Sequence, residues 1–287
     1  MGTDALTPTT RALSFQILGQ TVRVECAQAV LRHYLTVNFG AMEASPGDVG
    51  PKLEYRVETR PTGSLVLFRD GLEVAADEGP DEMLFLVEQD ATIELQKRRS
   101  DLYFLHSAAI EWHGKACLLA AESGSGKSTT TWGMLHHGFG YLSDELSPID
   151  LDSMRVFPYP HALCLKRTPS SPYLLPGQSL RVGARIHIPA DALPGPTISW
   201  PCVLGAVFLV KHRPDLAEPA LRQVSRAEAS AYLYVNALNA LAHPSHGLDA
   251  VVRIAECAPC FSVDTAELAA TCELISNTVD QVVATAR

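Results

Sequence analysis

The sequence predicts an α/β fold in residues 100–287, built around a phosphate-binding loop, after a small α+β unit in residues 1–99. The first observation is the stretch Ala121-Glu122-Ser123-Gly124-Ser125-Gly126-Lys127-Ser128-Thr129, which separates an apolar run from a helical pattern. The second is the series of short runs with Gly turns before residue 76. The third is the alternation of buried-strand and helix patterns after residue 200, which is typical of α/β folds. A chain of 287 residues has room for both units.

Composition narrows the classes of partner and location. The net charge is −9 with a pI near 5.5, so the chain lacks the basic character of nucleic-acid binders, although a local basic cluster can still bind an acidic or phosphorylated substrate. The charge-poor stretch 188–210 contains Asp191 and several prolines and glycines, so no membrane helix is expected. Residues 1–11 contain no apolar signal-peptide segment.

Seven cysteines, an odd number, favour reduced thiols and a cytoplasmic location over a disulfide scaffold. The pair Cys257 and Cys260 forms a C-x-x-C pattern. It falls where a helix gives way to a strand, whereas a redox motif begins a helix, so two structural cysteines are the interpretation.

Residues 12–99 show local patterns without chemistry. Runs on either side of Gly19-Gln20 predict a hairpin, and Asp81–Arg99 has helical periodicity. Further elements are predicted as a helix at 27–34 and strands at 53–58, 65–69 and 72–75. This unit is interpreted as a packing or recognition domain. The basic triplet that ends the 81–99 helix is interpreted as a solvated helix terminus.

The Gly-rich loop predicts a site for a nucleoside triphosphate. Gly124 and Gly126 let the backbone curl so that successive N–H groups meet phosphate oxygens, and the following helix (129–137) adds its positive end. Lys127 would reach the terminal phosphates, and the Ser128 hydroxyl would ligate Mg²⁺. The residues predicted to bind the nucleotide are Ser123, Gly124, Ser125, Gly126, Lys127, Ser128 and Thr129. The alternative is a Gly/Ser-rich turn with a surface lysine.

Two neighbouring segments place titratable groups near this loop. A strand predicted over 103–112, joined by His113-Gly114-Lys115 to the loop strand 116–121, brings His106 close to the loop as part of a hairpin. A short strand after the loop helix ends in Asp144 and Glu145, and the carboxyl ends of strands in α/β sheets are where ligands bind. A structural histidine and a surface acidic turn are the alternatives.

The rest of the chain predicts a Pro-rich region and an α/β ending. Polar residues 167–181 are interpreted as a substrate-facing flap. Ser225 with Glu228 has capping-box spacing at the start of a helix. Strands are predicted at 154–157, 162–166, 185–188, 205–211 and 260–263, and helices at 225–241, 247–255 and 265–286.

Residues 106–166 resemble the catalytic domain of the HPr serine kinase/phosphorylase family, and more closely its HPr-kinase-related relatives, which include lasso-peptide tailoring kinases. His106 stands fifteen residues before Ala121, at the first loop position. The loop, the helix with its Gly turn and the acid pair Asp144-Glu145 follow in the family's order. A Pro-rich segment then leads to Lys166.

The resemblance implies a phosphoenolpyruvate-carboxykinase-like P-loop kinase fold that uses ATP and Mg²⁺ to phosphorylate a serine hydroxyl. In that family pattern Lys127 and the loop amides bind the β- and γ-phosphates, and Ser128 and Glu145 serve the metal. Asp144 takes the hydroxyl proton, and His106 contacts the transferring phosphoryl group or orients Asp144. The relatives act on a peptide or small protein and form oligomers, so a homo-oligomer is expected here.

Several positions depart from the founding family. Ala121 replaces Gly, Thr129 stands where that family has Glu, and Glu145 replaces the second Asp. The family's Arg-Gly-Leu-Gly segment, which belongs to its phosphorylase activity and HPr docking, is missing from the sequence. Two other functions stay open at this point: a small-molecule kinase of the same fold, for example one acting on free serine, and a nucleotide-binding module without transfer activity.

Overall fold

A computed structural model describes residues 11–45, 47, 50, 52–77, 79–122, 124–213 and 215–285. In these residues the chain forms six α-helices and seventeen strands, arranged in three sheets. The prediction that no signal peptide is present concerns residues that lie almost entirely outside this description. The mixed α/β class predicted from the sequence is the class observed.

The first sheet contains the first five strands, in the order β1-β2-β3-β4-β5. Their bounds are β1 Arg11–Ile17, β2 Gln20–Cys26, β3 Lys52–Thr59, β4 Leu65–Arg69 and β5 Leu72–Asp77. The predicted β1–β2 hairpin is confirmed, and its two-residue turn places Leu18 and Gly19 at positive φ. Helix α1 (Ala29–Phe39) crosses over to bring β3 parallel to β2. It runs further than the predicted 27–34, because Leu35 and Phe39 continue its buried side.

Helix α2 (Pro80–Arg98) packs on this sheet much as the sequence predicts. Pro80 occupies the first turn and Lys97 and Arg98 the last, in agreement with the preferences of helix ends. The apolar core of this part continues beyond residue 99. Later members of the same core are Leu102, Phe104, Leu146, Tyr159 and Val182. The predicted boundary at residue 99 therefore crosses a continuous core, and it stays a prediction.

The second sheet is the largest, with nine strands among the described residues, and it carries the Gly-rich loop. Its strands are β6 Leu102–Leu105, β7 Ser107–Trp112, β8 Lys115–Ala120, β9 Gly140–Ser143, β10 Ser147–Asp150, β11 Arg155–Val156, β15 Cys202–His212, β16 Ala220–Gln223 and β17 Cys260–Thr265. The main order is β6-β10-β11-β15-β8-β7-β9, with β17 also on β15 and β16 on β17. At its centre β15 runs parallel to both β8 and β17.

Helices cover both faces of this sheet. Helices α3 (Lys127–His136) and α6 (Leu268–Thr285) pack together against one face. Helices α4 (Arg226–Val235) and α5 (Leu248–Cys257) share a core with the other face. Side chains of β8 alternate between these two cores, so the loop that follows β8 emerges from a rigid, three-layered support.

A third, three-stranded sheet consists of β12 (Leu163–Leu165), β13 (Leu180–Val182) and β14 (Arg185–Ile188), with β14 in the centre. It packs with α3 in the core beneath the loop helix. The prediction identifies the strands at 162–166 and 185–188, whereas β13 overlaps the end of the segment 167–181 interpreted as a flap.

The single strand predicted over 103–112 is wrong. The chain forms two strands, β6 and β7, with His106 at the break between them. Strand β6 pairs with β10, whereas β7 pairs with β8 and β9. Both strands are buried, so the sequence is apolar on either side of His106. It therefore gives no sign that the two strands pair with different neighbours. At the break the His106 N–H donates to the carbonyl of Asn236 (2.8 Å).

The C-terminal elements follow the predicted order, with α4 and α6 shorter than predicted and α5 ending two residues later than predicted. Ser225 Oγ accepts a hydrogen bond from the N–H of Glu228 (3.2 Å), but the Glu228 carboxylate pairs with Arg222, so only half of the capping box forms. The sequence pattern misses β16, which pairs with β17. Cys257 ends α5 and Cys260 begins β17, which is the helix–strand junction predicted for the C-x-x-C pair. In the described part of the chain each helix is too short or too polar to cross a membrane.

Candidate active site at the Gly-rich loop

The Gly-rich loop joins the carboxyl end of β8 to the first residue of α3. Gly124 and Gly126 both have φ of +88°, a conformation that side chains with a Cβ rarely adopt, so glycine is required at both positions. The Thr130 N–H donates to the carbonyl of Gly126 (2.8 Å), which starts the helix directly after the loop. The loop and the helix are therefore continuous, as a phosphate-binding loop requires.

Most of the predicted nucleotide-binding residues face one cleft. Its lining includes Gly124, Gly126, Lys127, Ser128 and Thr129. Ser125 is half-buried, and its N–H donates to the carbonyl of Glu122 (3.1 Å) inside the loop. The predicted Ser123 lies outside the described residues.

Lys127 points into the base of this cleft from the first turn of α3. Its side chain is 9% exposed, and its Nζ lies 3.3 Å from His106 Nε2 and 3.9 Å from Glu145 Oε2. Burial lowers the pKa of the ammonium group, whereas the charge of Glu145 acts in the opposite direction. The cation sits where an anion bound by the loop would be its neighbour.

His106 links the lysine to the acid. Its Nδ1 lies 3.3 Å from Glu145 Oε2, while Nε2 faces Lys127. Burial, and then the charge of Lys127, lower the pKa of His106 below its usual value, so the ring is neutral at pH 7. A neutral ring in this place donates Nδ1–H to Glu145 and accepts at Nε2 from Lys127. The predicted approach of His106 to the loop is observed, and its carboxylate partner is Glu145.

Asp144 and Glu145 follow β9 and point to different sides. The side chain of Glu145 is 36% exposed and lines the cleft. Asp144 is fully buried and is not among the cleft-lining residues. Its carboxylate accepts from the hydroxyl of Tyr141 (3.1 Å) and from the N–H of Cys164 (3.1 Å). The acid predicted to take the substrate proton is thus enclosed by protein, and its neighbour faces the cleft.

A buried histidine at the wall of the cleft pairs with Asp144. His161 Nδ1 lies 3.5 Å from Asp144 Oδ1, and Nε2 lies 2.5 Å from Oε1 of Glu88 on α2. Burial alone would lower the pKa of His161, but the two carboxylates outweigh it and hold that pKa well above its usual value. Burial would likewise raise the pKa values of Glu88 and Asp144, and the partner His161 lowers both. These groups form an imidazolium between two carboxylates.

A second buried histidine completes the polar network. His187 on β14 donates from Nδ1 to Oδ1 of Asn38 on α1 (2.6 Å), and the Cys164 thiol lies 3.4 Å from the same nitrogen. Burial, reinforced by the charge of His161, lowers the pKa of His187 to about 4. Sequence reasoning missed Glu88, His161, His187 and Asn38, because no motif singles out any of these residues.

The cleft has a volume of about 1120 Å³ and three walls. One wall is the Gly-rich loop with residues 265–268, which connect β17 to α6, and the second is one face of α2. The third is formed by residues 166–170 and Arg185. The first part of the predicted flap thus faces the candidate site.

The metal predicted here has two candidate ligands, Ser128 and Glu145, and both line the cleft. Within the described residues no cluster of three or more His, Cys, Asp or Glu side chains is arranged to hold a metal ion. A hydroxyl and one carboxylate fit Mg²⁺, which usually keeps several waters and binds through one or two carboxylates together with substrate phosphates.

Comparisons with known proteins leave the family open. Neither a protein-family profile nor a curated protein matches the chain. Among solved structures, the chain is similar to the Hpr(Ser) kinase/phosphatase from Coxiella burnetii, with 11% sequence identity and a TM-score of 0.30. That match covers 61% of this chain and 95% of the other. At this identity and TM-score the likeness supports no statement about function.

Proposed function

We propose that this protein is a kinase that uses ATP and Mg²⁺ to phosphorylate a hydroxyl group, with a serine in a peptide or small protein as the acceptor. The observation that carries the proposal is the meeting of Lys127, His106 and Glu145 beside the Gly-rich loop, within 3.3 to 3.9 Å of one another. Nucleotide binding alone needs the loop and the lysine. Phosphate transfer also needs groups that act on the acceptor and the metal, and a histidine and an acid at the same point can supply them.

The loop and Lys127 would bind the β- and γ-phosphates. Loop N–H groups and the N-terminus of α3 favour anions, and the buried ammonium acts in surroundings where charges are screened less than in water. Ser128 and Glu145 would hold the Mg²⁺, which when bound neutralises charge that develops on the phosphates. Phosphoryl transfer depends mainly on such positioning and charge stabilisation.

The acceptor hydroxyl also needs a group that takes its proton. Neutral His106 suits this role, because Glu145 fixes the Nδ1–H and the Nε2 lone pair, which accepts from Lys127, becomes available once Lys127 turns to the bound phosphates. We therefore assign proton acceptance to His106, oriented by Glu145, whereas the family resemblance gives it to Asp144. In this proposal Asp144 is a positioning residue that holds Tyr141 and the backbone of β12 at Cys164.

Room for the second substrate supports transfer over simple binding. The cleft volume of about 1120 Å³ lies above the usual range of ~300–1,000 Å³ for small-molecule pockets. Two of its walls, the α2 face and residues 166–170, lie outside the loop that would hold the nucleotide.

The direct test is transfer of label from [γ-³²P]ATP with Mg²⁺ to a library of serine peptides, with free amino acids in parallel. We expect labelled phosphoserine in peptides, and no label with Lys127→Met. Label on free serine alone would make the protein a small-molecule kinase. Nucleotide binding without label on any acceptor would make it a binding module. Either result would overturn the proposed function.

A further inference from the structure

The cleft extends along one face of α2, which presents apolar and amide side chains. Phe85, Gln89, Ile93 and Gln96 line it at helical spacing, and Phe85 and Ile93 are 40% and 43% exposed. From residue 85 to residue 96 the helix rises by roughly 16 Å, at about 1.5 Å per residue. This length matches about five residues of extended peptide at ~3.3 Å each. A single free amino acid would leave most of the face uncovered.

Two arginines of the opposite wall face the same space. Arg185 lies with its guanidinium carbon 5.9 Å from the centre of the Phe85 ring. The Gly183 N–H donates to Asp81 Oδ2 (2.9 Å), which fixes the β13–β14 turn to the first turn of α2. Arg167 lines the cleft from the segment after β12. Across the described ranges neither arginine has an ion pair with a carboxylate.

The acids that line the cleft leave this basic character in place. Glu88 pairs with His161, and Glu145 with His106. Glu267 accepts the Ala270 N–H (2.9 Å) at the start of α6, on the loop side, and Glu122 lies in the Gly-rich loop itself. In a chain with a net charge of −9, two arginines without acid partners at one wall favour a negatively charged occupant.

We propose that the α2 face, together with Arg167 and Arg185, is the docking site for an acidic peptide segment, which is the acceptor in the proposed kinase reaction. This inference rests on that proposed function for its placement beside the transfer centre. The peptide lies extended along α2, with apolar side chains on Phe85 and Ile93 and backbone groups on the amides of Gln89 and Gln96. Carboxylates of the peptide pair with the two arginines.

Binding can be measured by fluorescence anisotropy with two labelled nonapeptides. Both have a central serine, and one carries four glutamates where the other carries four glutamines. We expect the glutamate peptide to bind about tenfold more tightly, and Arg167→Ala and Arg185→Ala each to weaken it by roughly fivefold, the upper range for partly exposed ion pairs. Arg181→Ala is the matched control, since Arg181 is exposed on β13 away from the cleft lining.

Reversal of charge gives a second readout. Arg185→Glu should weaken the glutamate peptide and strengthen a matched lysine peptide, while thermal melting confirms that the variant is folded. Equal binding of glutamate and glutamine peptides would overturn the proposal. So would an equal loss in Arg181→Ala, or competition by free glutamate or a short oligoribonucleotide as strong as that by the unlabelled acidic peptide.

Transfer assays separate this inference from the proposed function. Binding of the acidic peptide through the two arginines, without any phosphate transfer, would overturn the kinase function and leave the docking site. Equal kcat/KM for glutamate and glutamine peptides would overturn the docking site and leave the kinase. In the Arg185→Ala variant we expect unchanged ATP affinity and a raised KM for the acidic peptide.

Discussion

Two groups of side chains in this protein use similar residue types in opposite ways. The outer triad consists of Lys127, His106 and Glu145, and the inner network of Asp144, His161, Glu88, His187 and Asn38. The pKa of His106 is lowered because burial and a neighbouring cation act together, whereas that of His161 is raised because two carboxylates outweigh burial. One histidine is therefore neutral at pH 7 and the other charged.

In the proposed function, this difference separates the groups that take part in transfer from the groups that hold the site together. All three groups of the outer triad line the cleft, so a bound substrate can become a further partner. Glu88 and His161 of the inner network also line the cleft, but each already has a charged partner inside the protein. In the inner network Asp144 already has three protein partners and no exposed surface. Adjacent acids in the sequence thus take separate roles through their tertiary partners, and Glu145 belongs to the outer triad.

The inner network also connects distant parts of the chain. Glu88 and Asn38 come from α2 and α1, whereas their partners His161 and His187 lie in the region after β9. A buried ion pair loses several kcal/mol when one partner is removed. The elements of residues 1–99 therefore hold the back of the candidate site in place, a task beyond the packing or recognition predicted for them.

The largest expected effect belongs to the outer triad. Lys127→Met should lower kcat/KM for transfer by at least about 10³-fold and weaken ATP binding, because it removes the cation that stabilises transferring charge. Steady-state kinetics and calorimetry with ATP measure both. Lys115→Met, on β8 beside the Trp112 turn, is the control with normal activity. Transfer within tenfold of wild type by Lys127→Met would remove the lysine from the mechanism.

Glu145→Gln should reduce transfer by about 10²-fold, because His106 loses the group that orients it and the metal loses a ligand. Titration with Mg²⁺ separates the two effects. The part of the activity that recovers at high Mg²⁺ measures the loss of the metal ligand, and the part that stays lost measures the loss of His106 orientation. The free energy of unfolding should fall by less than about 1 kcal/mol, because Glu145 is half-exposed and its pairs with His106 and Lys127 are partly screened by solvent. Full activity at low Mg²⁺ would contradict both roles.

The neighbouring substitution should give the opposite pattern. Asp144→Asn should lower the free energy of unfolding by about 3 kcal/mol, because it leaves the buried His161 charge with a single carboxylate. Nucleotide binding should persist, and transfer should stay within about tenfold while the protein is folded. Urea denaturation and single-turnover assays measure these quantities. Loss of transfer with wild-type stability would restore Asp144 as the base, as the family resemblance implies.

The sequence predicts the parts of the site that local patterns encode. The Gly-rich loop, its helix and the approach of His106 follow from motif, turn and hairpin signals within some twenty residues of Lys127. The break between β6 and β7 at His106 cannot be predicted from these signals, because a change of strand partner leaves the apolar pattern intact.

Longer-range features of the site leave no local signal. Asn38 and His187 are 149 positions apart, and neither belongs to a motif. The choice between Asp144 and Glu145 as the cleft-facing acid is hidden for the same reason, because it depends on Tyr141, Cys164 and His161 around one of them. Which of these residues contact one another is decided by the packing of the whole fold, and the sequence around each residue carries no sign of it.

The smallest expected effect is a pH dependence of stability that belongs to the inner network. The pKa of His187 is about 4 in the folded protein and about 6.5 when unfolded, so the unfolded chain binds the extra proton between these values. The free energy of unfolding therefore keeps the full contribution of His187 above about pH 6.5. Below that pH the contribution falls by up to about 1.4 kcal/mol per pH unit. His161 has a raised pKa and is protonated in both states in most of this window, so its contribution changes at higher pH.

Urea denaturation between about pH 5 and 6 measures this slope above the titration of the network acids, whose pKa values are lowered. His106 and His136, which also have lowered pKa values, add to the total slope, so the contribution of His187 is read from the difference between wild type and a variant. His187→Gln keeps a donor for Asn38 and removes the titration, so the loss of stability on acidification should shrink by about 1 kcal/mol per pH unit. His33→Gln, exposed on α1, is the matched control with the wild-type slope. An unchanged slope in His187→Gln would show that His187 is not held neutral, and the inner network would then lack the charge balance that distinguishes it from the outer triad.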